Sequence, residues 1–335
     1  MFDGTTVSMP DTPENQEEYP QVYNQKPGLG FPIARVGAMI SLACGAVLNL
    51  GLCRYAGKGQ GEVSLLRRLW DILRPRDVLL TDCLLANWTN ILLLRERGVE
   101  LVSRLNKANR TADFRRGKRL GHHDHIVRWF KPTSIRSLDR QTYNTLPAYI
   151  TIRETKIQVR GPGFRTKSLV VVTTLLDPHQ TTKEDLATLY RARWHNELDV
   201  RSIKSTMQMR ELRCKTPELV RKEIWTHILA YNLIRTIMAQ AATKHDVLPR
   251  SISFKGSIQT LEAFQPLIEL RTASDAAQRT RVYQDLLDAI ATHRVADRPD
   301  RYEPRAKKQR RNHYDWLTKP RAELKRKMAK GFTKI

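Results

Sequence analysis

At 335 residues with 41% hydrophobic content, the chain can bury at least one sizeable core, with room for an inserted subdomain. Its 58 Lys and Arg against 34 Asp and Glu give a formal net charge of +24, spread along the whole chain, so the expected partner is a polyanion: nucleic acid first, ribosomal RNA or an anionic membrane surface second. Cys44, Cys53, Cys83 and Cys214 form no C-x2-C pair, which excludes a zinc site or a disulfide framework, and with no signal peptide and no unbroken apolar span the expectation is a soluble cytoplasmic protein with free thiols.

Met1 to Met9 reads as a strand, with Asp3 near its beginning in an Asp-Gly pair that alone signals only a turn. A polar loop follows, Pro10 to Leu29. Phe31 to Tyr55 holds two apolar runs separated around Cys44-Gly45, which predicts a hairpin. Gly61 to Leu73 places Val63, Leu65, Leu66, Leu69, Trp70 and Leu73 at helical spacing, and Pro75 ends that run. Asp77 to Asp82, DVLLTD, is a short buried-strand pattern with an acid at its tip. Asp82 is therefore either a site residue presented at a strand end or the cap of the helix beginning near Asn87. Trp88 to Gly98 reads as that helix, and Val99 to Leu105 as the next strand.

The interval from Asn106 to about Thr181 opens with a basic run: Lys107, Arg110, Arg115, Arg116, Lys118 and Arg119. It then alternates in HIVRWF (125–130), YITIRETKIQVR (149–160) and KSLVVVTTLL (167–176), which predicts a strand-rich insertion. His122, His123, Asp124 and His125 resemble a metal cluster, but consecutive side chains cannot all face one ion, so a polar turn facing phosphate is the better reading. Trp129, beside Arg128 and near Lys131, is open to two readings: a core residue or a platform for an unpaired base.

Thr182 to Met207 is predicted as one helix, capped by Thr182 or Thr181, with Glu184 and Asp185 in its first turn. Arg193, Glu197 and Lys204 lie three, seven and fourteen residues beyond Tyr190, close to whole turns, so all four side chains project from one side. Leu189, Ala192, Val200, Ile203 and Met207 form the neighbouring stripe expected to face the core. The plain alternative is a solvated face with spaced ion pairs, Arg193 to Glu197 above all. Thr216-Pro217-Glu218 starts another helix, running to about Lys244, and Thr280 to His293 reads as a further one. Residues 301–335 carry thirteen Lys or Arg against three acids, a basic tail of the kind most often solvated and disordered, which would add sequence-independent DNA affinity. There is no internal repeat and no phosphate-binding glycine loop.

Tyr-x2-Arg-x3-Glu-x6-Lys resembles the signature of the insertion-sequence-four (IS-four) family of DDE transposases, and Tyr190, Arg193, Glu197 and Lys204 match it at every position. Asp3-Gly4-Thr5-Thr6, Thr12-Pro13-Glu14-Asn15, Asp113-Phe114-Arg115-Arg116-Gly117, Pro162-Gly163-Phe164-Arg165-Thr166 and Leu176-Asp177-Pro178 carry the similarity along most of the chain. One departure is local: many relatives follow the second acid with Arg-Gly-aromatic, whereas here Cys83-Leu84-Leu85 follows Asp82.

The strand, hairpin, helix, strand, helix, strand order is that of a ribonuclease H-like core, and the resemblance implies the same α/β fold interrupted by a β-strand-rich insertion. The expected organisation is core at 1–106, insertion at 107–181, core with the catalytic helix at 182–265, and a C-terminal helix with basic tail at 266–335. The resemblance further implies Asp3, Asp82 and Glu197 as catalytic metal-binding acids, and Tyr190, Arg193 and Lys204 as phosphate contacts. Arg115, Arg116 and Trp129 are expected DNA contacts from the insertion. Two Mg²⁺ ions, replaceable by Mn²⁺, would sit roughly 3.5–4 Å apart. Water would nick the transposon end, and the freed 3′-hydroxyl would then attack a phosphodiester. Cleavage of the second strand through a DNA hairpin rests on resemblance alone. The implied partners are double-stranded transposon ends and target DNA, no membrane, and a second copy in a homodimer on DNA, in a bacterial, nucleoid-associated setting. Relatives carry a helical end-recognition domain before the first catalytic strand, and here Asp3 lies two residues from the start, so the chain is expected to be truncated. The alternative is a catalytically inactive remnant that only binds DNA; a basic RNA-binding structural protein would not explain the signature helix.

Overall fold

A computed structural model describes residues 1–135, 139–158, 168–271, 276–295, 317 and 319–330. The first elements are β1 (Phe2–Ser8), α1 (Pro13–Glu18), β2 (Ile33–Ile40), β3 (Val47–Arg54), α2 (Glu62–Leu69), β4 (Val78–Leu80), α3 (Trp88–Glu96) and β5 (Glu100–Arg104). Next come β6 (Lys118–Gly121), β7 (Asp124–Phe130), α4 (Arg140–Thr145), β8 (Tyr149–Gln158), β9 (Ser168–Thr173), α5 (Lys183–Ala192) and α6 (Trp194–Arg201). The helices α7 (Pro217–Lys244), α8 (Phe254–Arg271), α9 (Ala276–Thr292) and α10 (Arg321–Ala329) complete the described elements. The fold is mixed α/β, and it divides into two compact units.

The first unit comprises residues 1–3, 38–42 and 62–197. Its frame is a six-stranded sheet in the order β4-β5-β9-β8-β7-β6. Only β4 and β5 pair in parallel; β9, β8, β7 and β6 follow antiparallel. The strands expected as an insertion therefore continue the sheet begun by β4 and β5. Their patterning is unusual, because β8 buries Arg153, Glu154 and Thr155 in succession. Those charges are paired within the sheet: Arg153 with Asp124 at 2.6 Å, and Glu154 with His125 at 3.0 Å and the Trp129 indole at 2.7 Å. A buried charge persists only when paired in this way. α3 starts at Asn87, whose side chain accepts from the Asn90 N–H, so Asp82 is not its cap.

The second unit comprises residues 4–37, 43–61 and 198–335. It holds most of a three-stranded sheet, order β1-β2-β3. The predicted turn around Cys44-Gly45 is present, and Gly45 has φ +82 with a virtual Cβ 2.9 Å from the Arg235 guanidinium carbon, so both conformation and space require glycine. Asn232 of α7 exchanges two hydrogen bonds with the Val47 backbone, at 2.8 and 2.9 Å. α7, α8 and α9 pack on one another.

Several expectations are corrected. The loop 10–29 contains α1, capped by Thr12. The single signature helix is interrupted at Arg193 and passes into a π-helical turn at Ser202–Thr206. Leu189, Ala192, Val200 and Met207 are only half-buried, and the fully buried positions are Leu186, Ala187, Tyr190, Asn196, Asp199 and Ile203. α8 had no sequence counterpart, because its apolar residues lack a clean period. The expected basic tail includes α10, whose Arg321 guanidinium lies 3.6 Å from the Phe31 ring centroid and pairs with Asp11 at 3.3 Å. The motif Pro162–Thr166 lies outside the described residues.

Candidate active site

Two parallel strands and one helix assemble the site. Leu80 of β4 stands opposite Val102 of β5, and the Thr81 N–H donates to the Val102 carbonyl at 3.1 Å, carrying the pairing one residue further. Parallel direction brings the C-terminal ends of both strands to one edge, where open α/β sheets present site residues. Asp82 and Arg104 meet there, with Oδ1 3.8 Å from Nη2. The Ser103 hydroxyl donates to the Asp82 carbonyl at 3.0 Å, and the Cys83 N–H donates to Asp82 Oδ1 at 2.5 Å. Asp82 is thus held from three directions while its side chain stays 44% exposed.

The helix supplies the rest. Thr182 caps α5 in a reciprocal capping box with Asp185, and Arg153 Nη1 fixes the preceding residue by donating to the Thr181 carbonyl at 2.6 Å. Leu186, Ala187 and Tyr190 are buried where α5 packs on β5, β8 and β9. Arg193 joins α5 to α6 in right-handed helical conformation, φ −53 and ψ −30, so the turn spacing from Tyr190 through Arg193 to Glu197 survives the interruption. Arg193 Nη2 donates to Glu197 Oε1 at 2.7 Å, with the two side chains 22% and 39% exposed.

Electrostatics shows which groups share the neighbourhood. Burial pushes the Tyr190 phenol pKa up, Arg193 and Arg104 pull it partly back, and Asp82 and Cys83 reinforce the rise. Tyr190 therefore stays a neutral hydrogen-bond donor. Burial opposes the charge of Arg193, but the hydrogen bond to Glu197 and the fields of Tyr190, Glu197 and Asp82 outweigh it, and the guanidinium is held more firmly protonated. Asp82 and Glu197, far apart in sequence, both act on one arginine.

Asp3 lies half-buried in β1, in the same compact unit as Asp82 and Glu197, and the Met1 backbone before it exchanges two hydrogen bonds of 2.7 Å with Ile40. Among the described residues no group of three or more His, Cys, Asp or Glu is arranged to hold a metal ion. Carboxylate oxygens are nonetheless the ligands a hard divalent cation prefers. Asp82 and Glu197, half-exposed and acting on a single guanidinium, provide such oxygens, so the donor chemistry fits. Lys204 falls in the π-helical turn of the second unit, where its Nζ donates to Thr5 Oγ1 at 2.9 Å and burial, then Arg210, lowers its pKa.

The insertion residues divide. Arg115 and Arg116 are exposed and both engage Asp113, at 2.9 and 3.2 Å. Trp129 is a core residue: it is 4% exposed, its indole N–H donates to Glu154, and the Arg110 guanidinium lies 4.4 Å from the ring centroid, leaving no room for a stacked base. The accessible aromatics are its neighbour Phe130 and cross-strand Tyr149, which line a cavity of about 730 Å³ with Arg110, Arg116, Lys118 and Arg128. Of the metal-like run, Asp124 and His125 are consumed by the buried pairs with Arg153 and Glu154.

Sequence reasoning missed Arg104 and Asp199. Parallel pairing could have flagged Arg104, because it ends the strand beside the one carrying Asp82. Asp199 sits two residues past Glu197 on another side of the helix, fully buried, where Arg235 and Arg250 bind it at 2.6 and 2.9 Å and the Tyr231 hydroxyl at 3.2 Å. No apolar-stripe argument finds a buried acid.

Comparison with known proteins gives three findings. The family described as "Transposase DDE domain" matches residues 1–233. The "Transposase InsG for insertion sequence element IS4" of Escherichia coli (strain K12) is 27% identical over 326 residues, covering 92% of this chain and 67% of that protein. A piggyBac transposase in a synaptic complex with hairpin DNA overlays with a TM-score of 0.45 at 7% identity, covering 86% of this chain; the chain spans 56% of that one.

Proposed function

Because the chain belongs to the Transposase DDE domain family, as an IS4-type DDE transposase, we propose that it cleaves a DNA strand at a transposon end and joins that end to a target phosphodiester. The observation that carries the reading is the shared guanidinium: Arg193 is bonded to Glu197 and held by the field of Asp82, with Tyr190 buried beside them. The proposed scaffold is a ribonuclease H-like core, with Asp3, Asp82 and Glu197 as the residues that would hold divalent metal, Mg²⁺ in particular. Two such ions would supply Lewis acidity to the attacking and leaving oxygens.

The chain's own groups do the rest. Arg193 presents a fixed fork of donors to phosphate oxygens, which Glu197 pre-orients before DNA arrives. Tyr190, kept neutral by burial, donates a hydrogen bond to another phosphate oxygen. Arg104 supplies a second positive charge beside Asp82. Lys204, Arg115 and Arg116 add contacts along the DNA backbone, and synapsis of two ends requires two copies of the chain. No described helix is long and apolar enough to cross a membrane.

The test is Glu197→Gln in the full chain. It should abolish divalent-metal-dependent nicking of an end-containing duplex while leaving duplex binding within about twofold, because a neutral amide keeps the shape and loses the charge. Cleavage at the wild-type rate removes Glu197 from the mechanism. A second reading, DNA binding without cleavage, is favoured by the 2.7 Å Arg193–Glu197 pair, which engages the acid with a cation of the chain's own; wild-type chain that binds ends and never nicks them establishes it.

A further inference from the structure

His122 and His123 form the two-residue turn between β6 and β7, and His123 holds φ +52, the left-handed region where a tight hairpin normally places Gly or Asn. Their rings lie 4.0 Å apart, and His123 stacks edgewise on Phe114 at 5.1 Å. Asp124 and His125 are sealed in the core, so only the first two residues of the polar run face outward. They line a cavity of about 490 Å³ with Lys156 of β8 and Lys183, Glu184 and Arg191 of α5. Among the described residues, three permanent cations and two imidazoles thus surround a space containing a single carboxylate. Lys183 is pinned by donating to the His122 carbonyl at 2.8 Å, whereas Lys156 and Arg191 have no side-chain partner among the described residues.

We infer that this cavity is a second phosphate-binding site, gripping the backbone of duplex DNA on the side of α5 that turns away from the acids. At about 100° per residue, Glu184, Ala187, Thr188 and Arg191 share one face of the helix, and Tyr190, Arg193 and Glu197 centre well over a quarter-turn from it. The cations come from β8 and α5, both tied to the histidine turn: the Lys156 N–H donates to the His123 carbonyl and Lys183 Nζ to the His122 carbonyl, each at 2.8 Å, so the donors are held in place before an anion arrives. Desolvation, then the charges of His122, Lys156, Lys183 and Arg119, keep the His123 pKa below its ordinary value. Among the described residues, Glu184 is the only opposing acid lining the cavity. An entering phosphate offsets those cations and lets the imidazole take up a proton. Binding is therefore expected to tighten as pH falls from about 8 to about 6, through the range where histidine titrates.

The inference rests on the chain being a DNA-binding protein, and not on the acids being catalytic. The experiment is fluorescence anisotropy of a duplex with the 335-residue chain over a salt series. Lys156→Gln and Arg191→Gln should each flatten the log–log salt slope by about one, because each lost phosphate contact releases about one fewer counterion. Glu184→Gln should move the other way and tighten binding, which keeps the test open even if one cation variant folds poorly. His122→Gln with His123→Asn, the latter tolerating positive φ, should remove the gain in affinity at low pH. Unchanged slopes in both cation variants, together with unchanged affinity in Glu184→Gln, overturn the inference. So does a cavity that takes pyrophosphate in calorimetry while the DNA slopes stay put, which would mark it as a small-anion site. Wild-type chain that binds no duplex at low salt defeats the transposase reading itself, and that result appears before any variant is made.

Discussion

Two arginine–carboxylate pairs in the first unit have nearly the same geometry and opposite meanings. Arg153 meets Asp124 at 2.6 Å with side chains 1% and 6% exposed; Arg193 meets Glu197 at 2.7 Å with side chains 22% and 39% exposed. The first pair is closed on all sides, since the third Arg153 nitrogen, Nη1, donates to the Thr181 carbonyl and the neighbouring Glu154 is taken by His125 and Trp129. It cannot trade partners without leaving a bare charge in the core. The second pair can exchange Glu197 for a phosphate and Arg193 for a cation at little cost, because water covers whatever is left. A contact distance therefore says little about role, and burial says most of it.

Breaking the closed pair should have the largest effect. Arg153→Met leaves Asp124 buried and unpaired, with an expected loss of about 3–5 kcal/mol in urea unfolding. Replacing both partners with leucine should return most of that loss, and a single-variant cost below about 1 kcal/mol would erase the contrast between the pairs. Trp129→Phe comes next: it strips one hydrogen bond from the buried Glu154 carboxylate, worth about 1.5–3 kcal/mol, while DNA affinity stays unchanged. Phe130→Ala on the next residue, 67% exposed, should do the reverse, weakening binding of single-stranded DNA with stability nearly intact. At the open pair, Arg193→Gln should change stability by no more than about 1 kcal/mol, since the Glu197 carboxylate left behind is 39% exposed and solvated. Its cost should instead appear as weakened binding of transposon-end DNA.

That contrast also explains what could be read from the chain before its fold. Glu197 and Arg193 were legible because helical spacing converts sequence distance into direction, and α5 and α6 preserve it across the interruption at Arg193. Asp82 was legible as an acid at a strand tip, and the parallel partner β5 supplied the Arg104 that spacing could not. Trp129 stayed ambiguous because an alternating strand offers two faces, and only the register with β8 decides which one is sealed; here it sets Trp129 on Glu154 and leaves Phe130 outside. Asp124, Glu154 and Asp199 were not legible as core residues, since nothing local announces a partner 25 to 36 residues away. The long α7 was readable from its Thr216 cap and Pro217, whereas α8, capped by the Ser253 hydroxyl accepting from the Gly256 N–H at 3.2 Å, lacks a clean apolar period.

The smallest effect expected is also the one that probes the open site most directly. Burial raises the Tyr190 pKa above its ordinary 10.0, although Arg193 and Arg104 pull against the shift. A phenol whose folded value exceeds its unfolded value contributes stability that is complete below pH 10. That contribution is lost as pH climbs through the folded value, because the unfolded chain ionises first. Tyr190→Phe has no proton to lose, so the gap between wild type and variant should be constant from pH 7 to 9 and should close above pH 10 in urea melts. Adding Arg193→Gln removes one of the charges that stabilise the phenolate, so closure should begin at the same pH and run further. A gap that stays constant through pH 11 would mean that Tyr190 does not titrate as a buried phenol, and the neutral donor assigned to it beside the acids would lose its basis.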